Sequence, residues 1–384
     1  MPLSYDPSKC DLCGCTEHEI VASINTDRGM TSDSRVVSRS LKKIMCLNCG
    51  LVRSGASFDS HDLEDHYTNA YQLNTTDSGE EHIFFIPTGP IPRSQLIHDW
   101  IVKIKPIFSG RTLEVGCGQG SLLRRLVETF PDADFSGIDL SAAAVWRAQQ
   151  QGLHVTTGCS TDIEGQYDTI VAFGVLEHVP SPTLFLEEIA KALKGSGEVI
   201  IGQPMQDVPS YDLFFVDHLH HFTTQHVQAF GKKVGLEQLA MLAGYQFVSN
   251  FSLHRFQKTS AEEKAFPFLE TQSIASVKRY VEFFAEVNIF LKQHPEIAVF
   301  GTGEVFSLLY AYTDLPKAAI ICGLDDNRDR QIRNHWPFPV ISPDEARNHS
   351  ISDVLLCVNP RYNEMVCKRL KALDLRPTAI LCEV

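Results

Sequence analysis

Three histidines and an aspartate crowd into one short run, Asp217-His218-Leu219-His220-His221-Phe222-Thr223. An imidazole with its ordinary pKa near ~6.5 suits proton abstraction at neutral pH, and a neighbouring carboxylate can tune it. The run therefore suits a metal site or a general base, with an ordinary polar loop as the plain alternative. His178, which follows an apolar stretch, could face the same pocket. A second grouping is Cys10-x-x-Cys13-Gly14 with Cys46-x-x-Cys49-Gly50. Four thiolates in two close pairs suit a tetrahedral Zn²⁺, and each glycine permits the turn that aims backbone N–H groups at the sulfurs. Such a site leaves no open position for substrate, so its role is structural; redox or merely buried pairs are the alternative. Residues 14–45 must then make a long excursion, and Cys15 is a bystander. A third grouping is the loop Glu114-Val115-Gly116-Cys117-Gly118-Gln119-Gly120. Gly116, Gly118 and Gly120 remove side chains where a ligand approaches the backbone. Asp139, at the end of the next apolar stretch, is placed to accept hydrogen bonds from ribose hydroxyls. The Gly-x-Gly-x-Gly spacing departs from the dinucleotide fingerprint and disfavours NAD, and no Gly-Lys-Ser/Thr follows, which excludes a P-loop.

The elements that must position these groups can be read from periodicity. Ser94 to Ile104 is helix-like, Thr112–Val115 is a short strand before the glycine loop, and Ser121 to Phe130 is a helix with Leu122, Leu123, Leu126 and Val127 on one face. Strand Asp134–Ile138, helix Ala142 to Gln151, strands His154–Thr157 and Tyr167–Phe173, helix Pro182 to Leu193 and strand Glu198–Gly202 follow. Alternating strands and helices predict a doubly wound parallel sheet with helices on both faces. The pattern restarts with a helix over Gln272–Gln293, strand Ile297–Phe300, the turn Gly301-Thr302-Gly303, helix Val305–Tyr312 and strand Ala318–Leu324 before Asp325. Phe306 stands where a third glycine would allow close helix packing, so this second turn is weak as a dinucleotide site. The expected organisation is an α/β protein in three parts: a zinc-binding module with connector (1–92), a Rossmann-like domain (93–270) and a smaller C-terminal Rossmann-like domain (271–384).

At 384 residues, 43% hydrophobic and 21% charged, the chain has the composition of a globular protein with ample cores. Its formal net charge of −13 argues against nonspecific nucleic-acid binding, which needs a basic face. No apolar run is long enough to span a bilayer and the polar N-terminus lacks a signal-peptide core, so no membrane partner is expected and a cytoplasmic location is. Beyond the paired four, the cysteines are scattered, as buried reduced thiols would be.

With Glu-Val-Gly-Cys-Gly-Gln-Gly, Gly-Ile-Asp-Leu-Ser and Phe-Gly-Val-Leu-Glu-His-Val in register, residues 95–205 resemble class I S-adenosylmethionine-dependent methyltransferases. That resemblance implies that Glu114, Gly116, Gly118 and Gly120 cradle the methionine part of the cofactor. It also implies that Asp139, followed by Leu140, binds the ribose, and that Phe173, Glu177 and His178 flank the methyl group. The family's usual acid beside adenine falls near Cys159-Ser160, where this chain has none, leaving Ser160 at that edge. With the cysteine module in front, the whole chain looks like the three-domain sugar C-methyltransferases. Their Glu/Asp-His-Leu-x-Tyr/Phe-Phe/Tyr-Ser/Thr motif is matched by Asp217 to Thr223. The resemblance implies S-adenosylmethionine and structural Zn²⁺ as cofactors and a small, nucleotide-linked sugar as substrate. It makes His218 the base, with Asp217 beside it and His178 and Tyr71 (or Tyr67) lining the pocket. Asp217 replaces the commoner Glu, His221-Phe222 replaces the commoner aromatic pair, and Phe215 lacks the tyrosine hydroxyl. The acceptor is thus open between carbon and oxygen. Two other readings are a noncatalytic zinc adaptor and an NAD-dependent oxidoreductase using the C-terminal glycine turn.

Overall fold

A computed structural model describes residues 4–58, 81, 83–86, 89–245, 248–259, 267–271, 274–332, 334–348, 351 and 353–379. The chain divides into two compact units. The first comprises residues 1–21, 42–212 and 218–273, and the second residues 22–41, 213–217 and 274–384.

In chain order, the strands of the first unit's two larger sheets are β1 (His18–Ser23), β2 (Lys42–Cys46), β3 (Val52–Ser54), β4 (Arg111–Val115), β5 (Asp134–Asp139) and β6 (Val155–Thr157). After them come β7 (Tyr167–Phe173), β8 (Leu193–Pro204), β9 (His220–His221), β10 (Leu236–Tyr245) and β11 (Val248–Lys258). Its helices are α1 (Arg93–Ile104), α2 (Ser121–Thr129), α3 (Ala142–Gln150), α4 (Pro182–Ala192) and α5 (Thr224–Lys233). The larger sheet has seven strands in the order β6-β5-β4-β7-β8-β11-β10. Strands β4 to β8 run parallel, as expected, but β11 is antiparallel to β8 and to β10. The sheet is therefore mixed. Residues 246 and 247 alone separate β10 from β11, too few for the crossover that a parallel pair needs.

Helices pack on both faces because their apolar residues recur at helical spacing. On one side Trp100, Leu122, Leu123 and Leu126 meet Val171 and Ile200; on the other Phe185, Ile189 and Phe230 meet Ile170 and Ile201. Val127, expected on the buried face of α2, is 37% exposed. Order reverses between β4 and β7, so a crevice opens beyond their carboxyl ends, where the glycine loop and Gly174 leave the sheet.

The smaller sheet has the order β1-β2-β3-β9 and is the scaffold of the cysteine pairs. Its last member is the histidine run itself: His220 pairs with Arg53 and His221 with Val52. Cys10, Leu12, Cys46, Cys49 and Leu51 share one apolar core with the seven-stranded sheet. Asp11, inside the first cysteine pair, accepts the Ser181 hydroxyl at 2.8 Å and the Thr183 N–H at 2.7 Å, which ties that knuckle to the N-terminus of α4.

The second unit has a five-stranded parallel sheet. Its strands are β12 (Glu296–Phe300), β13 (Ala319–Leu324), β14 (Val340–Ile341), β15 (Asp353–Leu356) and β16 (Arg376–Thr378), in the order β14-β13-β12-β15-β16. Its longest helices are α6 (Ile274–Gln293), α7 (Glu304–Tyr312) and α8 (Asn363–Lys371). The polar excursion between the cysteine pairs belongs to this unit: Arg28 donates to the Tyr310 and Thr313 carbonyls, and the Met30 N–H donates to the Tyr312 hydroxyl. Among the described residues, no helix is long and apolar enough to cross a membrane.

Candidate functional site

Cys10, Cys13, Cys46 and Cys49 converge as expected. Their sulfurs all lie within 4.8 Å of one another, with Cys10 Sγ to Cys49 Sγ at 3.6 Å and Cys13 Sγ to Cys46 Sγ at 3.5 Å. A tetrahedral ion with Zn–S bonds of ~2.3 Å needs sulfurs about 3.8 Å apart, so the cage has the right size. Backbone N–H groups of Leu12 and Cys13 face the Cys10 sulfur, and those of Asn48 and Cys49 face Cys46. Burial pushes the Cys46 thiol up to about 12, so filling the cage with thiolates requires a cation's charge. Gly14 and Gly50 hold the left-handed φ of 75° and 79° that each knuckle needs. A Cβ on Gly50 would sit 2.0 Å from the Leu269 carbonyl oxygen.

The glycine loop leaves β4 with φ of 72°, 54° and 82° at Gly116, Gly118 and Gly120. A Cβ on Gly118 would meet nothing within 4 Å, so the loop borders open space there. Around Gly118, its neighbours Gly116, Cys117 and Gln119 line a cleft together with Arg93, Glu114 and Phe173. Glu114 is buried with Oε2 unpartnered, and burial, then the Asp139 charge, holds its carboxyl well above the usual range. A ligand bearing a cationic or N–H donor group would satisfy it. Asp139 accepts the Gly118 N–H at 2.7 Å on one oxygen and the Ser141 N–H at 2.8 Å on the other, so it also braces the loop. Leu140 is exposed beside it. Ser160 opens a 3₁₀ turn, Ser160–Asp162, in which Asp162 Oδ2 accepts the Cys159 N–H at 2.9 Å. The first acid after Cys159-Ser160, Asp162, is thus engaged with the backbone.

Phe173 stacks on Phe251, and the Arg93 guanidinium lies 5.6 Å from its ring centroid. Immediately past it, Gly174 turns at φ 70°, and a Cβ there would lie 3.8 Å from both Arg93 Nη2 and Glu177 Oε1. Glu177, His178 and His218 then meet: a carboxylate oxygen and a ring nitrogen from each histidine lie within 4.8 Å of one another, all three residues buried. The His178 and His218 rings are 4.7 Å apart, edge to face. Burial raises the Glu177 carboxyl to about 7 against the opposing pull of His218. Lys43 Nζ donates to the His218 carbonyl at 2.7 Å and fixes that residue's backbone.

The carboxylate that serves His218 is a different one from the expected Asp217. Asp217 accepts the Ser32 N–H at 2.9 Å and the Ser32 hydroxyl at 2.7 Å, and it belongs to the second unit. Consecutive side chains leave the backbone in different directions, so an acid beside a histidine in sequence need not face it. Asp212 does: its Oδ1 lies 2.7 Å from His218 Nδ1 and its Oδ2 lies 2.6 Å from His221 Nδ1. Burial would raise the Asp212 carboxyl, but the two imidazoles hold it far below the usual range. Burial keeps His221 neutral, down to about 3, and His220, paired in β9, down to about 4. Tyr71 and Tyr67 lie outside the described residues. Asp212, Arg93 and Gln206, whose Nε2 donates to Asp212 Oδ2 at 2.7 Å, were not singled out by sequence. Asp212 lies upstream of the Asp217–Thr223 run, and no motif or spacing marked it.

A family model described as a methyltransferase domain matches residues 113–199. Over 175 residues the chain is 26% identical to a ubiquinone biosynthesis O-methyltransferase of Ralstonia nicotianae, covering 39% of this chain and 71% of the relative. Over 112 residues it is 32% identical to the enzyme of the same name from Erwinia tasmaniensis, covering 26% of this chain and 45% of the relative. Apart from the Ralstonia protein, the chain spans about half the length of these curated relatives. The magnesium protoporphyrin IX methyltransferase of Synechocystis, solved with bound S-adenosylmethionine, is 16% identical with a TM-score of 0.35, covering 43% of this chain and 78% of that one. That likeness carries no weight beside the sequence matches. These place the glycine loop, Asp139 and the Phe173 strand inside one recognised unit: the central part of the chain is a class I S-adenosylmethionine-dependent methyltransferase domain.

Proposed function

We propose that the protein moves a methyl group from S-adenosylmethionine to a small keto sugar carried on a nucleotide, with His218 as general base. The observation that carries this reading is the meeting of Glu177, His178 and His218 just beyond Phe173, which lines the cleft with Arg93. The glycine loop and the cleft beside it fit the cofactor on two counts: open space over Gly118 and an unpartnered buried Glu114 oxygen suited to an α-ammonium group. Arg93, on the same wall, suits a carboxylate. The sugar assignment rests on the order of parts, a four-cysteine module, a methyltransferase domain, an Asp-His-Leu run and a second parallel sheet, which is that of the three-domain sugar C-methyltransferases. The cysteine cage would hold Zn²⁺ structurally, in the core it shares with the catalytic sheet, and would brace the strand that pairs with His220 and His221.

In this reading His218 takes the proton alpha to the ketone as that C–H bond breaks. The freed electron pair forms the new C–CH₃ bond while the S–CH₃ bond breaks and its electrons stay on sulfur. Phe173 and the buried histidines exclude water, and the chain's further task is alignment. Oxygen methylation is the second reading, favoured by the O-methyltransferase relatives; His218 would then deprotonate a hydroxyl.

The test is product analysis with a panel of nucleotide-linked keto sugars. The expected product is heavier by one methyl, carried on the carbon beside the ketone, and His218→Ala should lower kcat by about 10²–10⁴-fold with cofactor affinity unchanged. Methyl on oxygen would select the second reading, and a near wild-type rate in His218→Ala would remove His218 as base. Elemental analysis should give one zinc per chain, lost in Cys46→Ser; a metal-free, stable protein would remove the zinc.

A further inference from the structure

We infer that Asp212 is the positioning residue of the reaction, a single buried carboxylate that fixes the tautomer of two histidines and directs the abstracted proton to one of them. The inference rests on His218 as the base and adds what makes it one. Asp212 is 2% exposed and opens a 3₁₀ turn, Asp212–Phe214, with its own N–H donated to the Ser210 hydroxyl at 3.1 Å. Its Oδ2 accepts from His221 Nδ1 at 2.6 Å and from Gln206 Nε2 at 2.7 Å, and its Oδ1 stands in ion-pair contact with His218 Nδ1 at 2.7 Å. An ionised carboxylate only accepts, so each facing nitrogen must carry the proton. Neutral His218 is thereby held as the Nδ1–H tautomer, with the lone pair on Nε2 as its basic atom.

Charge then decides where the proton goes. With both imidazoles neutral, the cluster carries one buried negative charge; when His218 gains a proton, the cluster becomes neutral. Proton uptake at His218 is favoured by that cancellation, which is large where water is excluded. His221 does not compete, because burial and the Lys43 charge keep it neutral. It serves as the second anchor that stops the carboxylate from turning away. The charged and titratable groups around His218 are His221 from its own run, Asp212 from the 3₁₀ turn upstream, Glu177 and His178 from the turn after β7, and Lys43 from β2. Asp212 supplies a carboxylate in ion-pair contact with the ring, 2.7 Å from Nδ1.

Two measurements test this. In the intact protein, ¹⁵N-imidazole NMR, with His218 assigned from the His218→Gln spectrum, should show Nδ1 protonated and Nε2 bare; the reverse tautomer would overturn the inference without any substitution at Asp212. Asp212→Asn should lower kcat by about 10³–10⁴-fold, the size seen when the orienting aspartate of a Ser-His-Asp triad becomes asparagine, with the cofactor Kd within about threefold. Loss of the anion destabilises the imidazolium, so the acidic limb of the kcat–pH profile should move to lower pH. A kcat within tenfold of wild type, or an equal loss of cofactor binding with an unmoved acidic limb, would overturn it. Activity in His218→Ala would instead defeat the base assignment while the NMR tautomer stood.

Discussion

The two glycine turns of this molecule share a design and differ in what fills them. Each follows the first strand of its sheet, each precedes a helix, and each is braced by the acid at the end of the next strand. Asp139 takes the N–H groups of Gly118 and Ser141; Asp325 takes those of Thr302 and Asn327, at 2.8 and 2.9 Å. In the second unit the space is then closed. Asp325 Oδ2 also receives the Thr302 hydroxyl at 2.8 Å and Arg330 at 3.2 Å. A Cβ on Gly301 would lie 2.8 Å from the Cys357 carbonyl oxygen, and one on Gly303 would lie 2.5 Å from Arg330 Nη1. In the first unit Gly118 faces nothing within 4 Å and Glu114 keeps an unpartnered oxygen. A nucleoside site is thus marked by vacated space and orphaned polar groups; the strand-glycine-helix pattern alone marks only a turn.

Glycine substitutions should separate the two turns. The larger effect belongs to the packed one: Gly301→Ala meets a backbone carbonyl and Val358 at a φ of 87°, and should cost about 3 kcal/mol in denaturant unfolding, read on the second unit's transition. Gly118→Ala has only its left-handed φ of 54° to overcome and should cost about 1 kcal/mol. Equal costs would mean that both turns are packed alike, and the contrast drawn between them would fail.

Much of this was legible in the chain. Positive φ leaves few choices but glycine, so Gly116, Gly118 and Gly120 announced the loop, and Cys-x-x-Cys-Gly announced each knuckle. Helices α1 to α4 and strands β4 to β7 followed from apolar periodicity to within a residue or two. Strands β10 and β11 were not read, because Leu236–Tyr245 buries little beyond its first residue and reads as mixed polarity. Asp212 was hidden for another reason. It and His218 are brought together by a 3₁₀ turn and by the pairing of β9 with β3, neither of which has a period in the sequence. Sequence adjacency favoured Asp217, whose carboxylate holds Ser32 instead.

The central claim is that one glycine turn holds S-adenosylmethionine and the other holds only itself. Calorimetric titration of the intact protein with the cofactor tests it most directly. One site per chain is expected, weakened at least about tenfold by Gly118→Ala, a loss of about 1.4 kcal/mol or more, and unchanged by Gly301→Ala in the folded protein. No heat at all, or binding that Gly118→Ala spares and Gly301→Ala removes, would contradict the account.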